Sequence, residues 1–318
     1  MFIKIKLTRL GSTLYLCPMR NQLLRHAAFS GHQGAVYCVA PSTNKGFFIS
    51  GGSDANVVEW DLSEQIAPRI IARSAGVIYS LLALPEQALL FIGNNQGGIH
   101  VVDLEQKKEI HYWMAHQTGV FDLKYKPHEN EIWAAGADGK LSIWDATSFE
   151  NKAVIQVSDQ KIRKIEHSCD YLCSALACSD GTIYLVHPQR TIESIGPQAD
   201  AVNALAFSPD GKYLLSGTKN ARLQIWDWPN RKLLEQIPAH NFAIYGIQFI
   251  GAGEQFITYS RDKTIKLWDA KTFSVLQRID KETSGHVNSV NSGFWDAHSS
   301  MFISGSDDRS AIAWRFEQ

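Results

Sequence analysis

The feature that most constrains the fold is a repeat of about 42 residues that runs through most of the 318-residue chain. Its clearest mark is a Trp-Asp pair at the end of a strand-like segment. Two degenerate copies, with Val102-Asp103 and Val186-His187 in place of that pair, fill the wider gaps at the expected spacing. Seven copies result, and they are centred on Trp60, Val102, Trp144, Val186, Trp226, Trp268 and Trp314.

A second series of residues, one in each copy, lies 28 residues before the Trp or Val that marks the copy. The separation within each copy is constant, whereas the connection from one copy to the next varies from 12 to 18 residues. Surface loops tolerate such variation and packed strands do not, so each copy is a packed structural unit. The series reads His32, Ser74, His116, Ser158, Gln198, His240 and His286.

Within each copy the local pattern is that of β-strands. Residues 201–217, AVNALAFSPDGKYLLSG, contain two apolar stretches around a Ser-Pro-Asp-Gly turn, and RLQIWD at 222–227 alternates as a third strand. The variable connection supplies a fourth strand, such as KLLEQI at 232–237. Such units cannot bury an apolar face alone, and radial stacking solves that problem. The sequence therefore predicts an all-β fold, a seven-bladed β-propeller of four-stranded antiparallel blades.

The repeats resemble those of the WD-repeat β-propellers, the family of the G-protein β subunit, over essentially residues 22–318. In that family a His, a Ser or Thr, an Asp and the Trp of one repeat form a hydrogen-bonded tetrad. The fold serves many unrelated functions, so the resemblance specifies the architecture more closely than the activity. It implies two complete tetrads, His240, Ser260, Asp262 and Trp268 in the sixth copy and His286, Ser306, Asp308 and Trp314 in the seventh.

A hydrolase is the competing interpretation of these Ser, His and Asp residues. A nucleophile and its base are expected once in a chain, not as a graded series around a ring. A buried indole N–H and a buried imidazole both need hydrogen-bond partners, which gives the series a structural reason. The second copy has Ser74, Asn94, Gln96 and Val102 at the tetrad positions, so we expect its polar network to be lost together with its Trp. We expect no catalytic residues and no enzymatic activity.

Two further motifs suggest chemistry without supporting it. His167, Cys169, Cys173 and Cys178 superficially resemble a zinc set, but their spacing matches no standard ligand pair and a strand would point them to different faces. GNNQGG at 93–98 lacks the Lys-Ser/Thr of a phosphate-binding loop. We therefore expect neither a metal ion nor a cofactor.

The resemblance also implies where partners bind. In G-protein-β-like relatives, contacts recur three and five residues after the tetrad His and immediately before the tetrad Asp, on the wider face of the ring. Aromatic residues at such positions offer large contact areas with little entropy to lose. The alternative is that they plug the channel and the basic residues are ordinary surface. The positions implied are Tyr37, Tyr79, Phe121 and Tyr245, beside a basic sector of Lys161, Arg163, Lys219 and Arg261.

Composition narrows the partner class. Lys and Arg total 31 against 32 Asp and Glu, so no global field attracts nucleic acid or an anionic membrane. No apolar run approaches the roughly 18 residues that span a bilayer. We expect a monomeric scaffold that binds a folded partner or a peptide, acidic or phosphorylated, through the wider face. The alternative is an RNA- or ribonucleoprotein-associated adaptor that uses the basic sector on the fourth to sixth blades.

Five cysteines without motif spacing indicate reduced thiols and a cytoplasmic location.

The two ends of the repeat array predict how the ring closes. The chain ends on AIAWRFEQ, a third strand, which leaves the last blade without its outermost strand. Residues 22–28, QLLRHAA, stand where the missing strand is needed, and we expect them to complete the seventh blade. Residues 1–21 form an extension. Its alternation of Phe2, Ile5 and Leu7 with Lys4 and Lys6 is typical of an extra strand, and disorder is the alternative.

Overall fold

A computed structural model gives the structure of residues 21–317. Within this range the chain forms 28 strands and three short 3-10 helices. The strands make seven separate four-stranded antiparallel sheets, and the innermost strands contact one another in a ring. This is the predicted seven-bladed propeller. No helix in this part of the chain is long and apolar enough to cross a membrane.

Each blade except the last is built from four consecutive strands, counted outward from the channel. After β1 (Gln22–Ser30), blade 1 holds β2 (Val36–Pro41), β3 (Phe47–Gly52), β4 (Asn56–Asp61) and β5 (Arg69–Arg73). Blade 2 holds β6 (Ile78–Leu84), β7 (Leu89–Asn94), β8 (Gly98–Asp103) and β9 (Lys108–Met114). Blade 3 holds β10 (Val120–Lys126), β11 (Glu131–Gly136), β12 (Lys140–Asp145) and β13 (Asn151–Gln156).

The remaining blades follow the same order. Blade 4 holds β14 (Ile162–His167), β15 (Ser174–Cys178), β16 (Ile183–Val186) and β17 (Ile192–Ile195). Blade 5 holds β18 (Val202–Phe207), β19 (Tyr213–Thr218), β20 (Arg222–Asp227) and β21 (Lys232–Pro238). Blade 6 holds β22 (Ile244–Ile250), β23 (Gln255–Ser260), β24 (Ile265–Asp269) and β25 (Val275–Ile279). Blade 7 contains β26 (Val290–Asp296), β27 (Met301–Ser306) and β28 (Ser310–Glu317). The 3-10 helices are Pro85–Gln87, Pro127–Glu129 and Lys281–Thr283.

Strand β1 completes blade 7. It pairs antiparallel with β28, from Gln22 opposite Glu317 to Ser30 opposite Ser310, and the sheet order is β1-β28-β27-β26. The first and last parts of the chain thus share one blade, as predicted. The Gln277 side chain of β25 adds a link to the neighbouring blade, because its amide accepts from the Leu23 backbone N–H (2.7 Å) and donates to the Leu23 carbonyl (3.0 Å).

The apolar core lies between the blades. One cluster joins Leu215 and Ile225 of blade 5 to Ile247, Phe256 and Trp268 of blade 6. The Phe256 and Trp268 rings are stacked, with centroids 5.8 Å apart and planes 3° apart. Truncating either ring to Ala would cost about 3–5 kcal/mol, since such a site cannot collapse around the cavity. Each blade is therefore stabilised mainly by its neighbours.

The predictions made for residues 1–21 concern a segment that, apart from Asn21, lies outside the described residues.

Candidate functional site

Blade 6 carries a complete tetrad. The His240 Nδ1–H donates to Asp262 Oδ2 over 3.0 Å, and Nε2 accepts from the Thr258 hydroxyl over 2.7 Å. Trp268 Nε1–H donates to the same Thr258 oxygen over 2.8 Å. Trp268 and Thr258 are buried, and the imidazole of His240 has no exposed surface. Every polar group of the network is thereby satisfied inside the blade, which indicates a structural role.

The prediction that Ser260 and Ser306 are the tetrad hydroxyls was wrong. In blade 6, Trp268 lies opposite Phe256, so its indole reaches the diagonal neighbour Thr258 on the same strand face. Ser260 lies at the end of β23, where it donates to the Phe242 carbonyl (3.1 Å) and accepts from the Asp262 N–H (3.0 Å).

Blade 7 repeats this arrangement. Ser304 accepts from Trp314 Nε1 over 2.9 Å and bonds His286 Nε2 over 2.9 Å, while His286 Nδ1 bonds Asp308 over 2.8 Å. Ser306 instead bonds the Asn288 carbonyl and the Asp308 N–H. In both blades the expected serine fixes the turn, and the residue two positions earlier joins the tetrad.

Two more blades build related networks that the sequence analysis did not count as complete. Blade 1 has a full tetrad, in which Ser50 bonds both His32 Nε2 and Trp60 Nε1 over 2.7 Å. In blade 3 the hydroxyl comes from the third strand, since Ser142 bonds His116 and Trp144 over 3.0 Å. Ser50 stands ten residues before its Trp, as do Thr258 and Ser304, and this offset was the signal available in the sequence.

Blade 2 has not lost its polar network, contrary to the expectation. His100 enters from β8, and its Nδ1–H donates to Glu109 over 2.8 Å. Its Nε2 lies 3.4 Å from the Ser74 hydroxyl and 3.3 Å from the Asn94 amide. A histidine on the third strand thus replaces the histidine that blades 1, 3, 6 and 7 carry in the loop before their first strand.

All tetrad loops lie on one face of the ring, together with the turns between second and third strands; we call this the tetrad face. At its centre, where the innermost strands begin, a cavity of about 440 Å³ opens. We call it the channel mouth. Seven of the eight predicted partner-binding residues line it, and Lys161 is exposed outside it. The lining comprises Tyr37, Tyr79, Phe121, Arg163, Asn203, Lys219, Ala243, Tyr245, Arg261, Asn291 and Asp307.

Three half-buried aromatic rings form an arc in the channel mouth. The centroids of Tyr37 and Tyr79 are 5.9 Å apart, and Tyr79 stacks on Phe121 at 5.3 Å. Tyr79 also lies against Gly119, where an added Cβ would come within 3.0 Å of the ring. A small residue at that position therefore leaves room for the arc.

Arg163 continues the arc as a cation. Its guanidinium lies 4.6 Å from the centroid of Phe121, and its Nε–H donates to Ser179 Oγ over 3.1 Å. Within residues 21–317 its two terminal nitrogens have no acceptor, and Arg163, Lys219 and Arg261 form no ion pair. Burial lowers the pKa of Arg163, an effect that the Tyr245 and Tyr79 hydroxyls oppose. The guanidinium remains charged at any physiological pH, so a partly desolvated cation stands without a counterion.

The opposite side of the channel mouth carries a negative charge. Asp307 accepts from the Asn291 amide over 2.7 Å, and the same amide donates to the Val36 carbonyl over 2.9 Å. Burial, followed by the charge of Asp307, raises the pKa of Tyr37. The channel mouth is therefore polarised, with unpaired cations from blades 4 to 6 facing one carboxylate from blade 7.

The residues that resemble a zinc set are engaged in other contacts. His167 Nδ1 bonds the Ser174 hydroxyl over 2.8 Å, and the Cys169 thiol donates to the Ser208 carbonyl over 3.1 Å. Across residues 21–317, no group of three or more His, Cys, Asp or Glu side chains is placed to hold a metal ion.

Comparisons with known proteins agree with this fold. The family described as "Nucleolar protein 10-like, N-terminal domain" matches residues 77–314, and the WD domain, G-beta repeat, matches residues 22–61. The WD40 β-propeller domain of Doa1 has the same fold, with a TM-score of 0.81 at 19% identity over 92% of this chain and 96% of that one.

Several curated proteins are similar over most of the chain. WD repeat-containing protein 26 homolog of Arabidopsis thaliana is 22% identical over 90% of this chain and 49% of its own length. Protein HIR1 of Eremothecium gossypii is 24% identical over 65% of this chain and 24% of its own length. Pre-mRNA-processing factor 17 of Saccharomyces cerevisiae is 24% identical over 66% of this chain and 48% of its own length. The chain spans about half or less of the length of each of these relatives. On the family match over residues 77–314, the chain belongs to the nucleolar protein 10-like N-terminal domains, a family of WD-repeat β-propellers.

Proposed function

We propose that this protein is a non-catalytic, monomeric scaffold that binds a partner protein through the channel mouth. The observation that carries the proposal is one cavity lined by an aromatic arc and by three cations that form no ion pair within residues 21–317. Aromatic and arginine side chains contribute a large share of the binding energy in protein interfaces. The similarity to other WD-repeat proteins supports the same class of function.

The charge of the channel mouth supports a partner with acidic groups. The Nε of Arg163 is held by Ser179, so the guanidinium is fixed while both terminal nitrogens remain open. A carboxylate or phosphate can accept two parallel hydrogen bonds from such a group, which is a strong and directional contact. Lys219 and Arg261 add positive charge to the same cavity. An acidic or phosphorylated segment of a protein is the ligand that this arrangement favours.

Charge substitution tests this function directly. Fluorescence anisotropy with acidic, phosphorylated and neutral peptides of one length should rank the acidic or phosphorylated peptides above the neutral one. Arg163→Gln should weaken their binding by about tenfold, since it removes a charge-assisted bidentate contact. Arg73→Gln is the matched control, because Arg73 is exposed on the outermost strand of blade 1. Equal affinities of wild type and Arg163→Gln for acidic peptides would contradict the proposal.

An RNA- or ribonucleoprotein-associated adaptor is the second candidate. The specific observation in its favour is that the unpaired cations adjoin aromatic faces on which bases could stack. The family name, nucleolar protein 10-like, and the similarity to a pre-mRNA-processing factor point the same way. A steep fall of affinity with salt for single-stranded RNA, with no preference for acidic peptides, would favour this candidate.

We propose a reducing compartment as the cellular location, with the cytoplasm as the first expectation. Among the described residues, Cys38, Cys169, Cys173 and Cys178 are free thiols. The family name raises the nucleolus as the other location. Imaging of the tagged protein against a nucleolar marker would distinguish the two.

A further inference from the structure

Exposed apolar side chains are distributed unevenly over the propeller. Most of the large ones in the described chain lie on outermost strands, as Leu234 does, or in loops of the opposite face, as Ile66 does. Two lie in loops of the tetrad face: Phe242, which is 57% exposed, and Val287, which is 55% exposed. They belong to adjacent blades, and each follows the tetrad His of its own blade by one or two residues.

Complete tetrads hold both of these loops. The Asn241 N–H donates to Asp262 over 2.9 Å, and the Phe242 carbonyl accepts from Ser260 over 3.1 Å. The Val287 N–H donates to Asp308 over 3.1 Å in the same way. The two apolar side chains are therefore presented by fixed backbone, and a partner that covers them has little loop entropy to remove.

Phe242 adjoins the channel mouth. Arg261 lines the mouth, and its guanidinium lies 6.0 Å from the centroid of the Phe242 ring. The Ser289 hydroxyl of blade 7 lies 3.5 Å from the Arg261 carbonyl, which joins the loop that carries Val287 to the turn that carries Arg261 across the blade boundary. An extended segment that leaves the mouth beside Arg261 meets Phe242 first.

We propose that Phe242 and Val287 form an apolar rim that binds large apolar side chains of the same partner segment whose acidic group lies in the channel mouth. The inference rests on the proposed function and adds a sequence requirement for the partner, an acidic residue with Leu, Ile or Phe on one side of it. The positive charges of Arg163, Lys219 and Arg261 favour the acidic residue of the partner. Burial of the rim favours the apolar residues of the partner.

A peptide library measures both requirements at once. Each nine-residue peptide has Glu or Gln at its central position. The residues that flank this position are Leu in one set of peptides and Ser in the other. Fluorescence anisotropy is recorded for wild type, Phe242→Ser, Val287→Ser and Arg163→Gln, with Leu234→Ser as the control for loss of an exposed apolar residue. Thermal melting checks that each variant is folded.

The expected result is that Glu-Leu peptides bind wild type about five- to tenfold more tightly than Glu-Ser peptides. This preference should disappear in Phe242→Ser and shrink in Val287→Ser, and it should persist in Leu234→Ser. A Leu preference that Phe242→Ser leaves intact would overturn the rim while leaving the acidic site in place. Affinities that do not depend on Glu or on Arg163, or binding of RNA but of no peptide, would overturn the proposed function and the rim together.

Discussion

At the scale of single residues, one hydroxyl serves both polar rings of blade 6. Thr258 accepts from Trp268 Nε1 and donates to His240 Nε2, and its side chain is buried between strands. Leaving a buried donor or acceptor without a partner costs about 1–3 kcal/mol, more than the bond itself contributes. The cost of removing this hydroxyl therefore exceeds that of removing a hydroxyl at the strand end.

The first prediction compares the two hydroxyls. Thr258→Val keeps the shape of the side chain and should lower the free energy of unfolding by about 1–3 kcal/mol, because two buried groups lose their partner. Ser260 is also buried, but the Phe242 carbonyl and the Asp262 N–H that would lose its bonds belong to residues that are not buried, so Ser260→Ala should cost less. Denaturant titration measures both. A larger loss of unfolding free energy in Ser260→Ala than in Thr258→Val would indicate that Ser260 is the tetrad hydroxyl.

The second prediction concerns acid. Burial, followed by the positive charges of Lys124 and Lys126, lowers the pKa of His167 to about 3. The folded protein thus keeps His167 neutral, while the unfolded chain binds a proton below about pH 6.5. The free energy of unfolding is unaffected above that pH and falls as the pH drops towards 3, by about 2 kcal/mol at pH 5 for this group.

His167→Gln should accordingly flatten the dependence of stability on pH between 7 and 5. The exposed His128, changed to Gln, is the control for replacing a histidine on the surface. Denaturation midpoints at four pH values suffice, and a His167→Gln slope equal to that of wild type would contradict the assignment.

At the scale of elements, the ring depends on one strand from the start of the chain. β1 pairs with β28 along its whole length and contacts β25 through Leu23 and Gln277. Without β1, the edge of β28 would be open and blade 7 would have three strands. Closure thus fastens the first blade to the last.

The third prediction follows from this pairing. Deletion of residues 1–29 removes nearly all of β1 and should lower the melting temperature sharply, whereas deletion of residues 1–21 leaves β1 whole and should change it little. Differential scanning calorimetry on both truncations measures the difference. Equal melting temperatures would show that β1 is not the closing strand.

The strands were predictable from sequence, and several side-chain partners were not. A constant separation between His and Trp identifies each blade and the order of its strands. The lack of a fourth strand in the last copy indicates that Gln22–Ser30 completes that blade. Thr258 and Ser260 point to the same face of β23, so alternation alone cannot choose between them. His100 replaces a loop histidine from a different strand, which no fixed spacing encodes. Phe242 was missed because exposure in a loop leaves no periodic signal.

At the scale of the whole molecule, stability and binding are assigned to different residues of the same face. The tetrads lie inside blades and hold the loops, while the aromatic arc lines the channel mouth at the ring centre. Seven positions related by the repeat converge there from seven blades, so the site exists only in the closed ring. Losing tetrad contacts should therefore destabilise the fold, and losing mouth residues should weaken binding.

The measurement that tests this separation most directly compares two variants in two assays. Asp262→Ala removes the partner of His240 and should lower the free energy of unfolding by about 1–3 kcal/mol, while its folded fraction binds the Glu-Ser peptides, which do not use the apolar rim, normally. The triple variant Tyr37→Ala, Tyr79→Ala and Tyr245→Ala should melt close to wild type and lose about tenfold or more in peptide affinity. A folded triple variant that binds the peptides and retains its co-purifying partners as wild type does would contradict the account, because the docking surface would then lie outside the channel mouth.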